Sequence, residues 1–290
     1  MVRTRCIFYL LRYFFAEKVI CAYFDFRVIS FHIKNEGSMP MDIRMSHETK
    51  PVLQQIFRQI IPTEQNFEMN LPDELPDLAE VVFTEAKAFL RGKEIDKGRI
   101  FVKGIVSANI LYYSDSASSI QKTEAQFPFA AEMACAEADE TCKLIVTASV
   151  FSCRAKMMSS RRLLLKAETC ISVRCFKELL LTTSCLPVDD CKDIQTRRFT
   201  ESMTIPVSYS EKSFIVTDTF KLPGQCESIS GLLLETARLT IDDAKIVGSK
   251  VIVKGSAFCD VLYNSDDSDL PCAVDFSTEF SQIIEMDRQV

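Results

Sequence analysis

Slid by 151 positions, this 290-residue chain falls on itself. Residues 100–115 read IFVKGIVSANILYYSD, and residues 251–266 read VIVKGSAFCDVLYNSD. Without a gap, Leu71-Pro72 meets Leu222-Pro223, Ala86 meets Ala237 and Ile95 meets Ile246. Val102-Lys103-Gly104 meets Val253-Lys254-Gly255, Leu111-Tyr112 meets Leu262-Tyr263, Ser114-Asp115 meets Ser265-Asp266, and Phe129 meets Phe280. These are 12 identities over the 63 positions 71–133, all at one offset. A period this long marks a duplicated domain, not a solenoid of short units. Whatever the chain folds into, it must build twice.

Each copy reads as β structure. Ile100, Val102, Gly104, Val106, Ala108, Ile110 and Tyr112 share one parity, as do Val251, Val253, Gly255, Ala257, Cys259, Val261 and Tyr263. Period 2 over this length predicts a long strand with one face on a core. A glycine in the middle of such a strand marks a bulge, a bend or a close backbone approach, which is the reading of Gly104 and Gly255. Tyr112 and Tyr263 read as buried aromatics with a wet hydroxyl. Asp115 and Asp266, each after a serine, read as turn residues. These six matched positions are structural marks of the repeat.

Further strands are predicted at Thr84–Ile95, Ala125–Met133, Lys143–Arg154 and Leu163–Phe176, with a turn over Met158–Arg161. Met203–Val207 and Phe214–Phe220 also have β character. Asp77 is placed to cap a short helix over 78–84. In PVLQQIFRQII (51–61), apolar residues at 52, 53, 56, 57, 60 and 61 have helix spacing with Thr49 as a cap, while the β-branched residues suit an extended chain. The predicted fold class is mainly β: two tandem antiparallel β-sandwich-like domains, the second truncated, each with a short helix. The segments are an N-terminal extension (1–40), an N-terminal segment (41–63), the first domain (64–176), a connector with strands (177–213) and the second domain (214–290). A complete second copy would run past Val290, so its last two strands have no counterpart, and an incomplete sheet leaves an edge that invites another chain.

Residues 6–33 are apolar and aromatic, but Arg12, Glu17, Lys18, Asp25 and Arg27 interrupt them. A spanning helix needs about 20 nearly uncharged residues, and a signal peptide needs a cleaner apolar centre. Met39 and Met41, just after Glu36-Gly37-Ser38, offer a later start of synthesis. A membrane partner would require residues 6–33 to insert.

The apolar fraction of 47 % supplies a packed core, and a net charge of −6 with no basic stripe argues against a phosphate-bound nucleic acid. Lys156, Arg161, Arg162 and Lys166 read as a solvated hairpin face. The 12 cysteines contain no C-x-x-C pair, and the two histidines, His32 and His47, stand near the start, so zinc-ligand spacing is missing. Most cysteines, such as Cys175 and Cys259, sit where Val or Ala would fit and read as reduced core residues. With no histidine after His47, neither a Ser-His-Asp nor a Cys-His site is supported, and no phosphate-cradling G-x-x-x-x-G-K-[ST] occurs. Asp73 and Asp77, or Asp266, Asp267 and Asp269, suit capping and turns better than calcium. No catalytic residue, metal site or cofactor is expected.

LPDELPDL, then FVKGIVSANILYYSD and FPFAAEM, resembles the SPOCS domain of clostridial spore-coat morphogenetic proteins, the SipL family. So does DTFKLP, followed by VIVKGSAFCDVLYNSD and TEFSQIIE. The resemblance covers about residues 64–286. It implies a non-enzymatic scaffold of endospore formation, at the mother-cell side of the forespore, whose partners are proteins of the spore coat or envelope. Such proteins often end in a LysM module, which this sequence lacks, so contacts made through LysM do not carry over. The competing expectation is a cell-envelope or carbohydrate-binding protein with disulfides.

Overall fold

The computed structural model describes residues 20–32, 46–185, 195–220, 222, 228–266 and 268–286. Among them every regular element is a β-strand: β1 (Ile20–His32), β2 (Ser46–Asn70), β3 (Glu80–Asp96), β4 (Arg99–Ser114), β5 (Ser119–Ala134), β6 (Lys143–Ser159), β7 (Arg162–Cys185), β8 (Gln195–Ser208), β9 (Gly231–Val247), β10 (Lys250–Ser265) and β11 (Ser268–Glu285). All pairings are antiparallel.

In the first half, two three-stranded sheets, β3-β4-β5 and β2-β7-β6, face each other. Ile100, Val102, Val106, Ala108 and Ile110 of β4 meet Leu163, Leu165, Ile171 and Val173 of β7 in one core. This is a β-sandwich. Phe67 of β2 stacks on Phe127 of β5 with ring centroids 5.2 Å apart, and Lys93 Nζ of β3 donates to the Leu144 carbonyl of β6 at 2.6 Å. The sandwich is thereby tied along both open sides.

The second half repeats one sheet of this sandwich. β3 and β9, and β4 and β10, have the same bounds at the offset of the sequence repeat. Both irregularities of the ladder recur as well. β4 skips Val82 and Arg91 of β3, and β10 skips Leu233 and Asp242 of β9. The hairpin turns differ in sequence but serve the same twist. Lys97-Gly98 has positive φ at both positions (46° and 75°), whereas in Gly248-Ser249 only the glycine does (63°). Two-residue hairpin loops of these mirror-image types match the right-handed twist of the strands they join.

Three expectations are corrected. No helix caps at Asp77: residues 71–79 form an irregular lead-in and β3 begins at Glu80. The Asp77 carboxylate is instead engaged by Arg161 at 2.9 Å. Residues 51–61 are extended within β2, and their helix-like spacing has a β explanation. A bulge at Ile56 shifts the parity of the strand. Leu53 therefore packs on one face with Ile145 and Phe176, while Phe57 and Ile61 pack on the other, against the main core. Finally, the second sheet β11-β10-β9 has no facing sheet among the described residues. The segment 209–220 packs on β11 through Phe214 on Phe280 and Phe220 on Phe276, and carries no strand ladder where a strand over Phe214–Phe220 was expected.

Strands cross two of the expected domain boundaries. β2 runs through 63/64 and β7 through 176/177. Residues 203–207 lie in β8, which pairs with β1 as a separate two-stranded ribbon.

Candidate interaction surface

Gly104 and Gly255 sit at corresponding points of β4 and β10, each directly opposite a phenylalanine of the next strand, Phe129 or Phe280. The ring folds over the glycine. A Cβ built on Gly104 would lie 2.2 Å from Phe129 Cζ and 2.5 Å from the Phe89 carbonyl oxygen, and one on Gly255 would lie 2.7 Å from Phe280 Cζ and 2.1 Å from the Thr240 carbonyl oxygen. The absent side chain is what lets the bulged neighbour strand and the ring both close in.

Tyr112 and Tyr263 are fully buried at the far ends of the same strands. The Tyr112 hydroxyl donates to the Pro76 carbonyl at 3.0 Å. Burial pushes its pKa above the ordinary phenol value; Arg161 opposes this shift and Asp77 adds to it. Burial likewise raises Tyr263. Asp115 and Asp266 lie at the turns that follow, where the Ser118 hydroxyl donates to the Asp115 carbonyl (3.4 Å) and the Asp266 amide donates to the Ser228 hydroxyl (3.1 Å). The six repeat positions thus lie along one strand of each copy and do not converge on a pocket.

Sequence reasoning missed Arg161, which it grouped with a solvated face. Its guanidinium gathers the 71–77 lead-in, donating to the carbonyls of Leu75 (2.8 Å), Leu71 (3.3 Å) and Pro72 (2.7 Å) and to Asp77 (2.9 Å). The planar fork of arginine suits such multiple donation. The acidic, proline-broken LPDELPD was the available signal, since a segment with so few ladder partners needs a donor from elsewhere.

The cysteines follow their expectation in part. Cys135, Cys142, Cys153, Cys170, Cys175 and Cys259 are free, and Cys272 is disulfide-bonded. Burial, with Cys142 beside it, pushes the Cys175 thiol up to about 12. A thiol held this way is protonated and inert at neutral pH. Above it, Asp139 accepts from Lys177 at 2.7 Å and is held well below the usual carboxylate range, by Lys177 first and then by Thr141. Among the described residues no group of three or more His, Cys, Asp or Glu could hold a metal ion.

The segment 209–220 is the least conventional part of the surface. It lies along β11 like a strap. Ser210 Oγ donates to the Glu285 carbonyl (2.7 Å), Lys212 Nζ to the Ile283 carbonyl (2.9 Å), Phe214 meets Phe280 (5.4 Å), and Phe220 stacks on Phe276 (3.7 Å). Hydrogen bonds from the Thr278 side chain and the Thr219 amide hold Asp218 below its ordinary range. Between these anchors Ile215 is turned outward and is 59 % exposed. Where the strap leaves the first sandwich, a cleft of about 480 Å³ opens between Lys93, Glu140, Cys142 and Tyr209. Its charges already satisfy each other, for Lys93 Nζ bonds to Glu211 at 2.5 Å and Tyr209 donates to the same carboxylate.

Among the described residues no helix is long and apolar enough to cross a membrane. No curated protein and no solved structure matches the chain. The family model described as SipL, SPOCS domain, matches residues 77–158 and again 228–289. The first match takes in β3–β5 and nearly all of β6, the second β9–β11. They begin at the same offset that superposes the bulges, the glycines and the tyrosines. The chain carries the SPOCS domain twice and belongs to that family.

Proposed function

We propose that this chain is a non-enzymatic assembly protein of the spore coat, working through protein–protein contacts of its tandem β domains on the mother-cell side of the forespore. The observation that carries this reading is the double SPOCS match in register with the structural repeat. Further support comes from how the polar side chains are used. Arg161, Asp77, Lys93, Glu211, Asp139 and Lys177 bind one another or nearby backbone and so hold loops to sheets. What the second half offers outward is backbone edge and sheet face, the currency of strand-mediated assembly.

A fluorescent fusion followed through sporulation tests the proposal: a shell around the forespore is expected, and an even distribution with no change of coat on gene deletion would sink it. The disulfide at Cys272 is the one observation that favours the envelope reading. Alkylation of protein taken directly from cells separates the two, because an exported protein would carry further bridges among cysteines that are free here.

A further inference from the structure

Cys135, Cys142 and Cys175 lie together in the main core, all buried and all free. Cys135 and Cys142 bound the loop from β5 to β6, and Cys175 lies in β7. The register sets Leu144 of β6 opposite Cys175, and Lys143 opposite Phe176. Cys142, one residue upstream, is therefore the diagonal neighbour of Cys175 on the buried face of the sheet. The two thiols meet there: burial first, then charge and a hydrogen bond from Cys142, raise the Cys175 thiol, and Cys135 adds to this only afterwards and through charge alone. The pair differs in access. Cys175 is fully buried, whereas Cys142 lines the cleft of about 480 Å³ beside Lys93 and Tyr209. Cys142 also sits in a bend just ahead of the β6 ladder. Its sulfur is held by Asp139, whose amide donates to Sγ (3.5 Å) and whose Oδ1 accepts from it (3.6 Å). Thr141 and Lys177 fix that carboxylate in turn. A reachable sulfur held against a buried one is the arrangement of an attacking and a resolving cysteine.

We infer that Cys142 and Cys175 are a peroxide-oxidisable thiol pair, which closes to a reversible disulfide between the β5–β6 loop and β7. Cys142 reacts first, because hydrogen peroxide reaches it through the cleft. Its sulfur takes one peroxide oxygen as the O–O bond breaks, and the other oxygen leaves as water, so that Cys142 becomes a sulfenic acid. Cys175 then attacks the Cys142 sulfur. The S–O bond breaks, and the hydroxyl leaves with the Cys175 proton as a second water. Two thiols are oxidised to one disulfide, and one peroxide is reduced to two waters. Cys175 is inert by itself, but oxidation of Cys142 removes the neighbouring thiol that helps to hold its proton on, and their contact makes the second step effectively unimolecular. Diagonal neighbours stand about 7–8 Å apart, wider than the roughly 4.4–6.8 Å between the Cα atoms of a disulfide. The bond therefore draws Cys142 inward, which its place outside the ladder permits. The pair stands beside Leu144, whose carbonyl accepts from Lys93, the residue that also holds Glu211 of the strap. The inference does not depend on the assembly reading.

The test uses the full chain, reduced and freed of reductant, treated with hydrogen peroxide at neutral pH and then alkylated. Trypsin with a glutamate-specific protease cuts at Glu137 and Glu140, which separates Cys135 from Cys142 before mass spectrometry. A Cys142–Cys175 link is expected, and dithiothreitol should reverse it. Cys142→Ser should abolish the link and leave Cys175 reduced. Cys175→Ala should strand Cys142 as a sulfenic acid that dimedone labels, a label the unchanged chain loses as its disulfide closes. Cys135→Ala should still form the link. The inference is overturned if Cys142 and Cys175 stay reduced under peroxide, if Cys142 pairs with Cys135 instead, or if Cys175 oxidises in the Cys142→Ser chain. Should Cys175→Ala fail to fold, the link map of the unchanged chain and the Cys142→Ser chain decide the matter by themselves.

Discussion

At the scale of single residues the duplication is written most plainly in two glycines. Each leaves room for a phenylalanine ring and a carbonyl oxygen that a methyl group would strike. A ring can tilt, but the neighbouring backbone can retreat only by undoing the bulge beside it. Gly255→Ala should therefore cost more than Gly104→Ala, since the oxygen lies at 2.1 Å in the second copy and 2.5 Å in the first. Losses of about 1–3 kcal/mol are expected for overpacking of this kind. Urea midpoints of the two variants check the order, and equal, negligible shifts would show that the strands coil without needing the glycines.

At the scale of elements, Arg161 decides how the 71–77 lead-in sits. Removing it leaves two part-buried carbonyls, those of Leu71 and Leu75, and the more exposed Pro72 carbonyl and Asp77 carboxylate without their donor. Arg161→Ala should destabilise the first domain by about 1–3 kcal/mol. Arg161→Lys should recover little, because a point charge cannot serve acceptors spread around a planar fork. Faster exchange of the Leu78 amide, which donates to Ser160, would report the same loosening, and a fully active clamp in the lysine variant would refute the geometric argument. The elements themselves were legible in the sequence where period 2 was unbroken, as in β4, β7 and β10. They were obscured where a bulge doubled the apolar pattern at Ile56, and where Asp77 before a polar-apolar run imitated a helix start. The β1–β8 ribbon was not legible, because pairing between residues so distant leaves no local mark on either strand. Of the candidate surface, the matched Gly104 and Gly255 were legible as mid-strand glycines, while the role of Arg161 was not, because its acceptors lie 84–90 residues away in sequence.

At the scale of the whole molecule the two copies are unequal partners. In the first, β4 is sealed between its own sheet and β7, and its inward residues from Ile100 to Tyr112 are fully or almost fully buried. In the second, the same face of β10 is also buried but falls into two small clusters, one around Val251 and Val253 and the other around Val261 and Tyr263. Among the described residues the two sheets β3-β4-β5 and β11-β10-β9 are joined by polar contacts, Lys87 Nζ donating to the Glu235 carbonyl at 3.1 Å and Asn264 Nδ2 to the Ile120 carbonyl at 3.0 Å, while Lys93 holds Glu211 of the strap. Domains with few shared contacts lose two-state behaviour. Urea should therefore unfold the chain in two steps, with amides of β9–β11 exchanging through a cheaper opening than those of β3–β5. A single transition with equal exchange energies in both copies would mean that the two halves fold as one cooperative unit.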